Sequence, residues 1–396
     1  MSGPIKRRRA SLAGHGSEMM PRPRRGQGPT ASRSVLTKDV RSGSLAEGGR
    51  DVMSSGHRRC RALAPILLLS LTVLAITAGA FPANAAGAHG LVPAQQRDGA
   101  YVVAQEQVGP HLVDLTIQSP ALGRTAKVRL LTPNGWEQRR RGDRWPVFYL
   151  LHGCCDTYDS WTRETDVEQL RRLRHVLVVM PEGGPVGWYS NWWNYGAGGP
   201  PAWETFHLQE LRRLLERGYG AGHRRVIAGL SMGGFGALSY AARNPGLFRA
   251  VASYSGVVHP LFNGFPEGLM SLLAEFGEDP LALWGDPVAQ RGIWKAHDPY
   301  YLAERLRHTP VFLSVGNGRA GPFDPPGTFD DLEAELSLQN HAVAARLAEA
   351  GVPLRTDFYG PGTHTWPYWE RELHRSLPML LDALRGGHAS AFTAAA

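Results

Sequence analysis

Two short segments with almost no polar residue, Pro146–Leu151 (PVFYLL) and His175–Met180 (HVLVVM), constrain this chain more than any other feature. A strand with one face in water alternates apolar and polar residues. A strand that is apolar throughout has to be buried on both faces, as in parallel sheets layered between helices. Val226–Leu230, Phe248–Ser253, Val311–Val315 and Leu354–Tyr359 continue the series. Segments with helical spacing lie among these strands. Glu204–Leu215 places Phe206, Leu208, Leu211, Leu214 and Leu215 on one face, and Gly233–Arg243, Leu338–Ala348 and Trp366–Leu384 follow. Upstream, Tyr101–Glu106, His111–Ser119 and Ala126–Thr132 alternate apolar and polar residues, as half-buried antiparallel strands do. The expectation is an α/β domain over 101–396, with a mixed, mostly parallel sheet and helices on both faces. Residues 257–308, rich in Pro, Gly and Trp, break the alternation. They are expected to form a small cap insertion over the carboxyl edge of the sheet, where ligands bind in such architectures.

The net charge of +8 suggests an anionic partner until the charge is located. Residues 1–85 hold 14 basic and 4 acidic side chains, whereas 86–396 hold 29 basic and 31 acidic ones. The body is near neutral, so a nucleic-acid partner is not expected. Residues 62–81 (ALAPILLLSLTVLAITAGAF) form an uncharged apolar run preceded by His57-Arg58-Arg59-Cys60-Arg61 and followed by Ala83-Asn84-Ala85. Basic flank, apolar centre and A-x-A site predict a signal peptide over 53–85, cleaved after Ala85, and hence export with no stable membrane insertion afterwards. The alternative is an uncleaved membrane anchor over 62–81. Residues 1–52, rich in Arg, Gly, Ser and Pro, are expected to be a disordered basic extension, and Met53 stands where such a leader would start. Residues 86–100 read as a linker. The three cysteines, Cys60, Cys154 and Cys155, make neither a disulfide framework nor a metal-type CxxC pattern.

Gly229-Leu230-Ser231-Met232-Gly233 matches G-x-S-x-G. As a bare pattern it is weak, and a Gly-rich turn with an idle serine would satisfy it. Here it follows a buried-strand pattern and opens a helical one, which is where a serine nucleophile is exposed on a strained turn. His364, in Gly362-Thr363-His364-Thr365, follows the last expected strand, the position of the general base in the same architecture. The acid should come from the segment after Val311–Val315, where Asp324, Asp330, Asp331, Glu333 and Glu335 are candidates. Asp324 is favoured because prolines flank it in what should be a rigid loop, whereas 330–335 read as the solvated start of a helix. The oxyanion hole is expected from the Met232 and Cys154 N–H groups. Cys154 and Cys155 are then either free thiols or a vicinal disulfide at the edge of the site. The aromatics Trp188, Trp192, Trp193, Tyr195 and Trp203 could equally line a pocket or fill the core. Of these, Trp188 and Trp192, together with Trp366, are taken as candidate substrate-binding residues.

Leu150-Leu151-His152-Gly153, Trp188-Tyr189-Ser190-Asn191-Trp192, Trp203-Glu204-Thr205-Phe206, Gly316-Asn317-Gly318 and Gly362-Thr363-His364-Thr365-Trp366 extend the pattern beyond the elbow. With it, they resemble the esterase D-like superfamily, and within it the mycolyltransferase (antigen 85) branch, over roughly 110–385. The resemblance implies an α/β-hydrolase fold and a Ser-acid-His triad without cofactor or metal. By position it implies Ser231, His364, Met232 and Cys154 in the roles above, and it points again to Asp324 as the acid. The branch has Asp-Gly-Leu-Arg where this chain has His152-Gly153-Cys154-Cys155. The acid and Arg near the sugar and acyl pockets are therefore missing, and ester hydrolysis is expected ahead of acyl transfer to a sugar or glycerol hydroxyl. The substrate class is a small-molecule, glycolipid or carbohydrate ester. A secreted binding protein that has lost its chemistry is the alternative of a different class.

Overall fold

The computed structural model describes residues 99–386; the expected extension, leader and nearly all of the linker fall outside them. Nine strands form one sheet: β1 (Tyr101–Gly109), β2 (Leu112–Ser119), β3 (Arg124–Leu131), β4 (Trp145–Leu151), β5 (Leu177–Pro181), β6 (Ala221–Leu230), β7 (Val251–Tyr254), β8 (Val311–Gly316) and β9 (Leu354–Gly360). Their order is β1-β2-β3-β5-β4-β6-β7-β8-β9. The first three pair antiparallel, β3 meets β5 antiparallel, and every pair from β5 to β9 is parallel. The central strands are buried on both sides. On β6, Ile227 faces one core while Val226, Ala228 and Leu230 face the other; on β8, Val311, Leu313 and Val315 oppose Phe312 in the same way.

Helices cover the two faces. α1 (Met232–Arg243), α2 (Phe265–Glu275) and α3 (Asp331–Glu349) place Phe235 and Leu238, Leu269 and Leu273, and Leu336, Val343 and Leu347 in one core. α4 (Trp366–Arg385) buries Trp369, Leu373, Leu377, Leu380 and Leu384 in the other. No helix among the described residues is long and apolar enough to cross a membrane.

Two boundaries differ from expectation for local reasons. The helical segment expected at 204–215 spans Trp203–Thr205, a π-helical stretch Phe206–Leu211, and Arg212–Gly218. α3 starts at Asp331 rather than near Leu338, because the Asp330 side chain caps it by accepting the Glu333 N–H at 3.0 Å. That earlier start decides where the acids of 330–335 point.

Candidate active site

Ser231 is the last residue before α1 and has φ 52° and ψ −120°. A side chain at positive φ is strained, and such strain persists only where the surroundings over-determine it. Here the Ser231 N–H donates to the Tyr254 carbonyl at 2.9 Å, and its own carbonyl accepts from Phe235 at 3.1 Å and Val257 at 3.3 Å. The glycines of the motif permit the turn: a Cβ on Gly229 would strike the Gly233 carbonyl, and one on Gly233 would strike the Leu151 and His152 carbonyls.

His364 stands between β9 and α4. Its Nδ1 lies 2.7 Å from Glu333 Oε2, and its backbone N–H donates to Asp330 Oδ2 at 2.8 Å. Trp369 meets the imidazole edge to face at 4.9 Å. Glu333 is fully buried, and its other oxygen accepts from the Gly316 N–H at 2.6 Å, the Ser255 hydroxyl at 2.8 Å and the Tyr359 hydroxyl at 3.3 Å. These donors satisfy a carboxylate that is shut away from water. With Nδ1–H given to Glu333, the imidazole keeps Nε2 as its free base.

Asp324 does not reach His364, which corrects the sequence expectation. Its carboxylate accepts from the Thr363 hydroxyl at 2.5 Å, the Tyr368 hydroxyl at 2.6 Å and the Gly321 N–H at 2.8 Å. Burial raises its pKa, but these three donors outweigh that effect and hold it below the ordinary aspartate value. Its carboxylate braces the segment carrying His364 from behind. Glu333 is not solvated, because it lies on the inward stripe of α3 with Leu336, Asn340, Val343 and Leu347. The spacing i, i+3, i+7, i+10, i+14, extended back past Leu338, is the signal that identifies it.

The loop after β4 carries Cys154, whose N–H the sequence assigns to the oxyanion hole. His152 Nε2 accepts from the Gly183 N–H at 2.8 Å, so its proton sits on Nδ1, 2.7 Å from the Gly153 carbonyl. Burial pushes its pKa below the ordinary histidine value, in keeping with a neutral ring. Tyr189 donates to the His152 carbonyl at 2.9 Å. Cys155 donates its N–H to Pro185 at 2.9 Å, whereas among the described residues the Cys154 N–H has no acceptor. The Met232 N–H opens α1, where helices leave donors without intrahelical partners. Cys154 and Cys155 are joined by a disulfide.

Ser231, Met232, Cys154 and His364 all line one cavity of about 560 Å³. Trp188 and Trp366 line it too, together with Leu230, Val257, Trp369 and, from α2, Phe265, Leu269 and Leu272. Trp192 does not: it is buried in the core, with its indole N–H on the Gly187 carbonyl at 3.2 Å. It serves packing, as does Trp203 in the core, whereas Tyr195 is exposed and its hydroxyl bonds Asp279. Among the described residues, Asp166, Glu370 and His374 cluster at metal-ligand spacing. Within the cluster the Asp166 N–H donates to Glu370 and His374 Nε2 meets Asp166, both at 2.8 Å, and none of the three lines the cavity.

A serine on a strand-to-helix elbow of a mostly parallel sheet, with a histidine after the last strand, defines an α/β-hydrolase fold. Residues 119–380 match the family described as "Putative esterase", and the chain belongs to that family. It is 32% identical over 278 residues to Esterase Rv1288 of Mycobacterium tuberculosis, covering 68% of this chain and 59% of that protein. The chain thus spans about three-fifths of the length of that relative. The diacylglycerol acyltransferase/mycolyltransferase Ag85B of Mycolicibacterium smegmatis is 30% identical over 333 residues, 79% of this chain and 95% of its own. Among solved structures, MPT51 of Mycobacterium tuberculosis superposes with a TM-score of 0.57 at 25% identity, covering 68% of this chain and 98% of its own.

Proposed function

We propose that the protein is an exported serine esterase that hydrolyses carboxylic esters through Ser231, His364 and Glu333. The observation that carries this reading is the Ser231 elbow opening into the same cavity as His364, whose far nitrogen is held by a buried carboxylate. His364 Nε2 takes the Ser231 proton as Oγ attacks the ester carbonyl carbon. The Met232 and Cys154 N–H groups stabilise the resulting oxyanion. The C–O bond to the alcohol breaks, and His364 returns the proton to the departing oxygen. Water, deprotonated by His364, then attacks the acyl-serine, releasing the acid and restoring the Ser231 hydroxyl.

The missing Asp and Arg of the antigen 85 pattern favour water over a sugar hydroxyl as acceptor. Export rests on the apolar run 62–81 with its basic flank and A-x-A site, and a Cys154–Cys155 disulfide fits an oxidising compartment. The test is hydrolysis of p-nitrophenyl esters from acetate to palmitate by wild type and Ser231→Ala, with fluorophosphonate labelling alongside. Turnover and labelling that both vanish in the variant support the reading. A folded wild type that neither turns over nor labels refutes it and favours a binding protein. Labelling without hydrolysis, with acyl transfer appearing when a polyol is added, favours a transferase.

A further inference from the structure

The cavity is apolar along most of its wall, yet two carboxylates line it, Asp156 and Glu335, and no lysine or arginine does. The two acids are not equivalent. Asp156 sits 2.6 Å from the Arg163 guanidinium, so its charge is compensated. Glu335 makes no ion pair among the described residues. It stands one turn after Leu332 on α3, and both residues line the cavity opposite Phe265, Leu269 and Leu272 of α2. Glu335 is thus the lining carboxylate without an ion-pair partner among the described residues, and no lysine or arginine shares the wall with it. A cavity of this volume is on the order of 10 Å across, comparable with the Debye length of about 8 Å at physiological ionic strength, so a ligand charge inside is poorly screened from Glu335.

We propose that Glu335 is a specificity-determining residue that selects esters with an uncharged or cationic acyl portion and rejects those bearing a carboxylate. This deepens the esterase reading by naming the substrate class. It also gives the product a direction: the acid released by hydrolysis ionises and is repelled from the wall that accepted its neutral ester. Burial raises the Glu335 pKa, with the Gln339 amide one turn on pulling it down.

Equilibrium binding separates this idea from the catalytic one, because it needs no turnover. Isothermal titration at pH 8 with octan-1-ol, octylammonium and octanoate compares one apolar body carrying three charges. In wild type, octanoate should bind at least about tenfold more weakly than octan-1-ol, a difference of about 1.4 kcal/mol. Glu335→Gln should close the gap to within about threefold, and Glu335→Lys should make octanoate the tightest of the three. Melting curves of both variants confirm that they fold. Octanoate binding wild type as tightly as octan-1-ol, a gap that persists in both variants, or no saturable binding of octan-1-ol each overturns the proposal. Ester turnover measured in parallel tells the two ideas apart. Charge selection without turnover removes the esterase reading alone; turnover without charge selection removes the role of Glu335 alone.

Discussion

Glu333 Oε2 lies 2.7 Å from His364 Nδ1, and its other oxygen collects the Gly316 N–H and two hydroxyls from β9 and the end of β7. One side chain on the first turn of a helix thus fixes the orientation of an imidazole on a distant loop. Removing its charge while keeping its shape, by Glu333→Gln, should lower kcat by on the order of 10⁴. Asp324→Asn should cost less than about tenfold, because that carboxylate touches the loop and not the ring. Steady-state kinetics with p-nitrophenyl butyrate on the two variants checks the order. Equal losses would return Asp324 to the catalytic group.

The elbow tolerates no side chain at Gly233, where a Cβ would come within 2.6 Å of the Leu151 carbonyl and closer still to that of His152. Gly233→Ala should destabilise the fold by about 1–3 kcal/mol, typical of overpacking. It should also lower kcat more than it raises KM, since the strain falls between the nucleophile and the oxyanion loop. Denaturant melts and kinetics of the soluble variant read both effects.

Leu272 is half-buried and faces the cavity from α2. A bulkier side chain there fills space that an acyl tail would use. Leu272→Trp should cut kcat/KM for the p-nitrophenyl esters of long acids by more than about tenfold while changing acetate little, in line with discrimination of a few kcal/mol per pocket contact. Trp192→Phe should lower the melting temperature and leave the chain-length profile unchanged, because Trp192 packs in the core.

His207 is buried and neutral, donating from Nε2 to the Glu182 carbonyl at 2.8 Å and accepting the Tyr240 hydroxyl on Nδ1 at 2.9 Å. Burial pushes its pKa down to about 3. The unfolded chain therefore binds a proton here at pH values where the native one does not. The stability that His207 contributes is complete above the unfolded value of about 6.5 and is lost as pH falls toward 3, by up to about 1.4 kcal/mol per pH unit. His207→Gln should be less stable than wild type at pH 7.5, and the gap should narrow on acidification to pH 5. Urea melts across that range test the sign: a gap that widens would mean the ring is charged in the native state.

The sheet was legible because burial on both faces leaves runs such as PVFYLL, and no other common architecture asks for them. The placement of Ser231 and His364 on one cavity was legible because the elbow requires small residues at 229 and 233 and His364 follows the last strand. The carboxylate that meets His364 is not the one the sequence favoured, for a physical reason. Asp324 has the sequence of a presenting loop, whereas Glu333 belongs to a helix whose first turn depends on the Asp330 cap, which propensity alone cannot rank. The wall of the cavity was also out of reach, because it joins α2, α3 and the loop after β4, which lie far apart in the chain. Trp192 and Trp188 are four residues apart and read alike, and tertiary packing separates them.

The segment between β7 and β8 supplies Val257, Phe265, Leu269 and Leu272 to the cavity, whereas Ser231, Glu333 and His364 all hang from the sheet and the helices that follow its strands. Part of the apolar wall thus comes from one segment of the chain, while Glu335, Trp188 and Trp366 reach the same cavity from others.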